Sequence, residues 1–108
     1  MYDKPESLAA LYRLWERVKT VRVSTDQRLS EQFCFLVSAH LVADAVGAAT
    51  AVIYNGYQTD PEKVIDLGCP VSGNDSFSPC LPVPCPKGLY VDVGSNVTSV
   101  VISYIEVR

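Results

Sequence analysis

The chain has 108 residues, of which 48% are hydrophobic and 19% charged, with a net charge of −3. This size and composition fit a single folded domain with a modest core, not a disordered chain. Residues 1–30 carry six basic and four acidic groups, whereas residues 31–108 carry three and eight. An acidic body, and basic residues interspersed with carboxylates, argue against a nucleic-acid-binding protein.

The charge split leaves two interpretations open. A mildly basic N-terminal region could dock on the acidic body of a neighbouring copy, because complementary potentials favour such pairing. The same charges could also be ordinary solvated side chains.

The longest apolar run covers residues 45–54, well short of the roughly 20 residues that cross a bilayer. We therefore expect no membrane partner. Because the first residues lack the features of a signal peptide, we expect synthesis and folding in a cytoplasm.

The first element predicted is a helix over residues 4–19. Asp3 and Glu6 resemble a capping box around Pro5, which suits the first turn of a helix. Four apolar side chains recur at spacings of three and four and so share one stripe: Leu8, Leu11, Trp15 and Val18. This stripe can pack on the chain's own sheet or on a partner subunit, and both possibilities stay open.

Short strands separated by turns are predicted for the rest of the chain. A largely buried strand is expected over residues 32–42, followed by strands over residues 48–54 and 63–67. Asn55-Gly56 favours a tight turn with positive φ. Residues 68–86 are expected to be a loop with one edge strand near 81–83, and residues 88–93 and 97–107 a hairpin around 94–96.

Because no crossover helix separates these strands, antiparallel pairing is the natural arrangement. The predicted fold is mainly β: an antiparallel β-sandwich or small barrel over residues 24–108, with an N-terminal α-helical arm over residues 1–23.

Three of the four cysteines, Cys69, Cys80 and Cys85, lie in one proline-rich segment. The spacing of the last two would suit a zinc knuckle, but the fourth ligand would have to be Cys34 or His40 from the predicted buried strand. The loop cysteines could instead form a disulfide among themselves, or they could remain unpaired thiols. We predict no metal site and no cofactor.

No catalytic residues are predicted. His40 is the only histidine, and Cys34 would lie on the same face of the strand but about 20 Å away. The carboxylates near predicted turns are expected to cap backbone groups, and they include Asp60, Glu62, Asp66, Asp75 and Asp92. Residues 92–96 contain oxygen ligands, but they are too few for a complete calcium loop, so a hairpin turn is preferred.

Residues 48–104 resemble a set of small tail- or capsid-associated virion proteins of tailed bacteriophages. The likeness runs through ATAVIYNG, KVIDLGCP and FSPCLPVPCPKGLYVDVGSNVTSVVISY. The matching positions are Tyr54, Gly56, Lys87, Gly88, Leu89, Tyr90, Val91, Val100 and Tyr104. The resemblance implies a compact β-sandwich that decorates or connects parts of a virus particle and has no catalytic residues. The high cysteine content and the longer helical N-terminus depart from that pattern.

The function predicted is that of a non-enzymatic virion structural protein, either a capsid decoration (cement) subunit or a neck or tail accessory subunit. Its expected location is the virion, after synthesis in the host bacterial cytoplasm. Its expected partners are protein subunits of the particle and copies of itself, which the arm would contact. Two further hypotheses are a soluble ligand-binding β-sandwich, for example a carbohydrate-binding module with exposed aromatic side chains on one sheet face, and a small zinc-dependent regulatory module.

Overall fold

A computed structural model describes residues 16–56 and 62–107, which are built mainly of β-strands. Nine strands lie within these two ranges. In chain order they are β1 Lys19–Val23, β2 Gln27–Ser30, β3 Cys34–Ala43, β4 Ala49–Asn55, β5 Lys63–Cys69, β6 Asn74–Phe77, β7 Val83–Cys85, β8 Leu89–Val93 and β9 Val97–Glu106.

These strands form two antiparallel sheets that share one apolar core. The larger sheet has the order β1-β9-β3-β6, with β7 paired to another part of β3, and the smaller has the order β2-β8-β4-β5. Side chains from both sheets meet in a single buried cluster, whose fully enclosed members include Leu36, Leu41, Ile53, Leu89 and Ile102. The predicted mainly β, antiparallel fold is confirmed. This strand order, with most successive strands exchanged between two layers, is that of a jelly roll.

The predicted hairpin of the last two strands is wrong. β8 pairs with β2 and β4 in the smaller sheet, whereas β9 pairs with β1 and β3 in the larger one. The connection over residues 94–96 is therefore a corner between the sheets. The Gly94 N–H donates to the Thr50 carbonyl at 2.8 Å, and the Asp44 N–H donates to the Asn96 carbonyl at 2.9 Å. These bonds fix the corner to the ends of β4 and β3.

The turn after β4 differs in detail from the prediction. Gly56 has the expected positive φ, at 132°. Asn55, however, still belongs to β4, and its N–H donates to the Glu62 carbonyl at 2.9 Å. The connection to β5 is thus longer than a two-residue turn.

Residues 68–86 contain more regular structure than predicted. β5 extends to Cys69, and β6 and β7 both pair with β3. The edge strand expected near residues 81–83 begins only at Val83, and Leu81 lies outside it with 78% of its surface exposed. The proline and glycine residues of this segment led to the prediction of a loop, but short edge strands tolerate both residues.

The N-terminal region differs from the prediction at its C-terminal boundary. The predicted helix extends to Lys19, but in the structure Lys19 begins β1, which pairs with β9 over five positions. Lys19–Val23 is therefore part of the larger sheet and not of the arm. Val18 precedes β1 and is outside any helix. Leu8, Leu11 and Trp15 lie outside the described residues.

A bulge in β3 changes which side chains face the core. Leu36 pairs with Tyr104 and Ser38 with Ser103, which leaves Val37 as an extra residue. Cys34 and Leu36 point inward before the bulge, and Ala39 and Leu41 point inward after it. The expectation that Cys34 and His40 share a face is therefore wrong: the bulge turns His40 to the outer face.

Candidate functional site

The residues that lead into β1 are held at one end of the sandwich by Glu106. Arg17 Nη2 donates to the Glu106 carbonyl at 2.8 Å, and Lys19 Nζ lies 2.6 Å from Glu106 Oε1. The pairing of β1 with β9 brings these residues together, because Lys19 is opposite Tyr104. Residues 17–19 are thus attached to the end of β9 through two cationic side chains.

The second carboxylate oxygen of Glu106 connects the two sheets. Ser30 Oγ, at the end of β2 in the smaller sheet, donates to Glu106 Oε2 at 2.8 Å. Ser30 is buried, and its oxygen also lies 3.3 Å from the Gln32 backbone nitrogen. The hydrogen bond from Lys19, followed by that from Ser30, lowers the pKa of Glu106 below its ordinary value. The group is therefore a carboxylate shared by β1, β2 and β9.

Glu106 lines two hollows at this end of the molecule. The smaller, of about 240 Å³, is lined by Glu16, Arg17, Val18 and Lys19. The larger, of about 450 Å³, is lined by residues 28–32. Val18 is the one predicted arm residue that the described ranges include, and it is half-buried in the smaller hollow.

An apolar patch lies at the same end of the larger sheet. We define it as Phe33, Phe35 and Val107. The ring centroids of Phe33 and Phe35 are 5.4 Å apart, and the ring planes are inclined at 46°. The Val107 N–H donates to the Phe33 carbonyl at 2.9 Å. Phe33 is 40% exposed and Val107 is 37% exposed. The sequence did not single out this patch, because its pattern predicts that residues 32–42 are largely buried.

The cysteines are not distributed as their clustering in sequence suggested. Cys34 in β3 lies directly opposite Cys85 in β7, and both are completely buried. Cys69 belongs to β5 in the other sheet, and Cys80 is exposed. Within residues 16–56 and 62–107, no group of three or more His, Cys, Asp or Glu side chains could hold a metal ion. The described residues therefore do not gather a zinc site from Cys69, Cys80 and Cys85.

The two buried thiols affect each other. The side-chain hydrogen bond between them lowers the pKa of Cys34 and raises the pKa of Cys85, so Cys34 takes the negative charge more readily. Cys34 Sγ also lies 3.9 Å from the Cys85 carbonyl oxygen. Nothing in the spacing of 51 residues along the chain could have revealed this contact, because it depends on which strands pair.

Among the acidic residues predicted to cap backbone groups, Asp75 does so, whereas Glu62 and Asp66 contact side chains instead. Asp75 accepts from the backbone N–H groups of Gly68 and Ser76, at 3.1 and 2.9 Å. Glu62 accepts from Asn55 Nδ2 at 2.9 Å and lies 3.3 Å from Lys87 Nζ. Asp66 Oδ1 lies 3.4 Å from Lys63 Nζ. Asp60 lies outside the described residues.

One juxtaposition of carboxylates was not foreseen. Burial, together with the nearby charge of Asp26, raises the pKa of Asp92. Asp26, however, already accepts a hydrogen bond of 2.7 Å from the Val93 N–H, and it is exposed. Asp26 therefore acts as a backbone cap at the corner between β1 and β2.

Comparisons of the chain with protein-family models, curated proteins and solved structures find no match. Residues 16–56 and 62–107 contain no helix that is long and apolar enough to cross a membrane.

Proposed function

We propose that the protein is a non-catalytic structural subunit of a bacteriophage particle, either a capsid decoration subunit or a neck or tail accessory subunit. The observation that carries the proposal is the jelly-roll strand order, β1-β9-β3-β6 facing β2-β8-β4-β5. Jelly rolls are a recurrent solution for viral capsid domains, and also for lectins and cupins. Because a fold alone does not determine function, the surface must distinguish among these classes.

The interior favours a structural role over a ligand-binding one. The space between the sheets is filled by apolar side chains that are fully buried, among them Leu36, Leu41 and Ile53. The two hollows beside Glu106 lie at the end of the sandwich, where the arm begins. This arrangement is suited to contacts with other proteins at that end.

The apolar patch and the base of the arm supply the surface for such contacts. Phe33 and Val107 present aromatic and aliphatic area beside the cationic side chains of Arg17 and Lys19. Buried aromatic anchors within a polar rim are typical of protein interfaces. We propose that Leu8, Leu11 and Trp15 of the predicted helix, together with Val18 just before β1, dock on another copy or on a neighbouring particle protein, with Trp15 as the main anchor.

The glycan-binding hypothesis has weaker support. It requires exposed aromatic rings on one sheet face, and Tyr54 and Tyr90 are indeed cross-strand neighbours on the outer face of the smaller sheet. Tyr54, however, is only 8% exposed. A stacking platform for a sugar ring would need both rings to be open to solvent. A glycan array with saturable binding would revive this hypothesis.

Trp15→Ala tests the role of the arm, and light scattering after size exclusion provides the measurement. We expect the native chain to form oligomers and the variant to dissociate at least ten-fold more readily, because large aromatic side chains dominate interface energies. Arg13→Ala is the matched control, since Arg13 falls outside the apolar stripe of the predicted helix. Circular dichroism must show an unchanged β-sheet in both variants.

Two results would contradict the proposal. If Trp15→Ala unfolds the sheets, the stripe belongs to the core of its own domain. If purified phage particles from an infected host lack the protein while the lysate contains it, the virion role itself fails.

A further inference from the structure

The buried thiols of Cys34 and Cys85 form a site that the proposed function does not use. They face each other across antiparallel strands, Cys34 in β3 and Cys85 in the three-residue strand β7. Directly opposite residues in an antiparallel pair have Cα atoms about 4.5–5.5 Å apart. A disulfide requires a Cα separation of about 4.4–6.8 Å. The strand register therefore places the two Cα atoms within the separation that a disulfide spans.

The side chains also point the right way. Both residues are 0% exposed, so both face the core and not opposite sides of the sheet. The adjacent pair Leu36 and Val83 has the same register, so the two strands continue in phase beyond the cysteines. No rearrangement of the sheet is needed to bring the sulfur atoms together.

The remaining two cysteines have no comparable arrangement. Cys80 is exposed, and Cys69 lies opposite Ala49 in the smaller sheet. A disulfide among the three cysteines of the proline-rich segment would compete with the pairing of β7 to β3. The strand register thus selects one partner for Cys85, and that partner comes from outside the segment.

We propose that Cys34 and Cys85 are a modification site, at which a low-molecular-weight disulfide such as oxidised glutathione converts the two thiols into a cross-strand disulfide. The S–H bonds of both cysteines break and an Sγ–Sγ bond forms. The S–S bond of the small disulfide also breaks, and its two halves leave as thiols that carry the two protons. Two electrons pass from the protein to the reagent.

Access to the buried pair comes from the weakness of β7. This strand has three residues, pairs with β3 alone among the described strands, and contains Pro84, which has no N–H to donate. Short elements of this kind open locally without global unfolding. Once formed, the disulfide would fasten the proline-rich segment to β3 and preserve the sandwich outside a reducing cytoplasm.

The test uses the full chain with Cys80→Ser, which changes an exposed side chain and leaves the pair intact. The reduced protein is refolded from denaturant in a mixture of reduced and oxidised glutathione, quenched with acid and digested with trypsin and a protease that cleaves before Asp. This digestion separates Cys34, Cys69 and Cys85 into the peptides 29–43, 66–74 and 75–87. Mass spectrometry then identifies the linkage directly.

We expect peptide 29–43 to be linked to peptide 75–87, and the oxidised protein to melt on the order of 10 °C above the reduced one, because the cross-link closes a long loop. The control Cys85→Ala should show the same melting temperature in both buffers. If peptide 29–43 retains a free thiol, or is linked to peptide 66–74, the proposal is overturned. This mapping decides the question even if Cys85→Ala does not fold.

Discussion

Glu106 is a single side chain that holds three strands and both sheets. Its partners are Lys19 in β1 and Ser30 in β2, whose interactions differ in strength. The Lys19 side chain is 54% exposed, so solvent screens the ion pair and limits its contribution. The hydrogen bond from Ser30 is buried and therefore less screened by solvent. Its loss would leave a desolvated hydroxyl without a partner, which costs stability.

We predict that Glu106→Gln lowers the free energy of unfolding by about 1 kcal/mol at pH 7. The pKa of Glu106 is lower in the folded chain than its ordinary value of 4.5. The stabilisation is therefore fully present above that value and is lost as the pH falls through the folded pKa. Urea unfolding at pH 7 and pH 3 measures both effects.

Glu31→Gln is the matched control for this prediction. Glu31 is an exposed carboxylate that lines the larger hollow beside Glu106. We expect it to change stability by less than about 0.5 kcal/mol at either pH. If Glu106→Gln and Glu31→Gln lose the same stability between pH 7 and pH 3 as the native chain, the carboxylate network has no net effect.

At the scale of elements, the sequence pattern located the long strands but not their partners. β3, β4, β5, β8 and β9 all lie within a few residues of the predicted strands, because each has a buried face with apolar periodicity. Pairing depends on residues far apart in the chain, and so the prediction wrongly joined the last two strands as a hairpin. The bulge at Val37 was equally invisible, since an inserted residue alters the facing of a strand without altering its composition.

The predicted boundary between arm and body, at residues 23 and 24, separates β1 from the sheet to which it belongs. Val23 is 1% exposed, and all five residues of β1 pair with β9, which would otherwise become an exposed edge. We predict that a chain starting at Ser24 loses at least about 3 kcal/mol of stability, from lost burial and lost ladder hydrogen bonds. Thermal melts followed by circular dichroism measure this loss.

A chain starting at Glu16 is the control, because it keeps β1 and its contacts through Arg17 and Lys19. We expect it to retain the strand signal and a single cooperative melt. Equal stability of the two truncated chains would mean that β1 adds nothing to the sheet.

At the scale of the whole molecule, one core serves both sheets. Buried side chains of β3 and β9 belong to the same cluster as those of β4 and β8. A substitution that destabilises one sheet should therefore destabilise the other, and the two sheets should unfold in a single transition.

Leu41→Ala tests this coupling. Leu41 is fully buried in β3, and we expect the substitution to cost about 3 kcal/mol through lost transfer energy and a residual cavity. Leu81→Ala removes the same atoms from a side chain that is 78% exposed, and we expect a change below about 0.5 kcal/mol. Urea unfolding followed by far-ultraviolet and near-ultraviolet circular dichroism should give coincident curves. Separated curves would show a populated intermediate and would contradict a single transition.

The candidate site was less predictable than the fold. The sequence pointed to Val18 and to the charges near the arm, but it did not indicate that Glu106 would anchor them, since a glutamate near a strand end has no distinguishing pattern. The pairing of Cys34 with Cys85 was hidden for a related reason: it exists only because β7 lies beside β3. Both features depend on contacts between distant parts of the chain, which composition and periodicity do not encode.

The central position of β9 has a consequence for protein synthesis. β9 lies between β1 and β3, yet it is translated after every other described strand. Until β9 leaves the ribosome, the larger sheet lacks its central strand, and β3 can pair only with the short strands β6 and β7. Long-range pairing of this kind is slow and leaves incomplete chains prone to aggregate. We therefore expect the nascent polypeptide to engage chaperones until β9 has emerged from the ribosome.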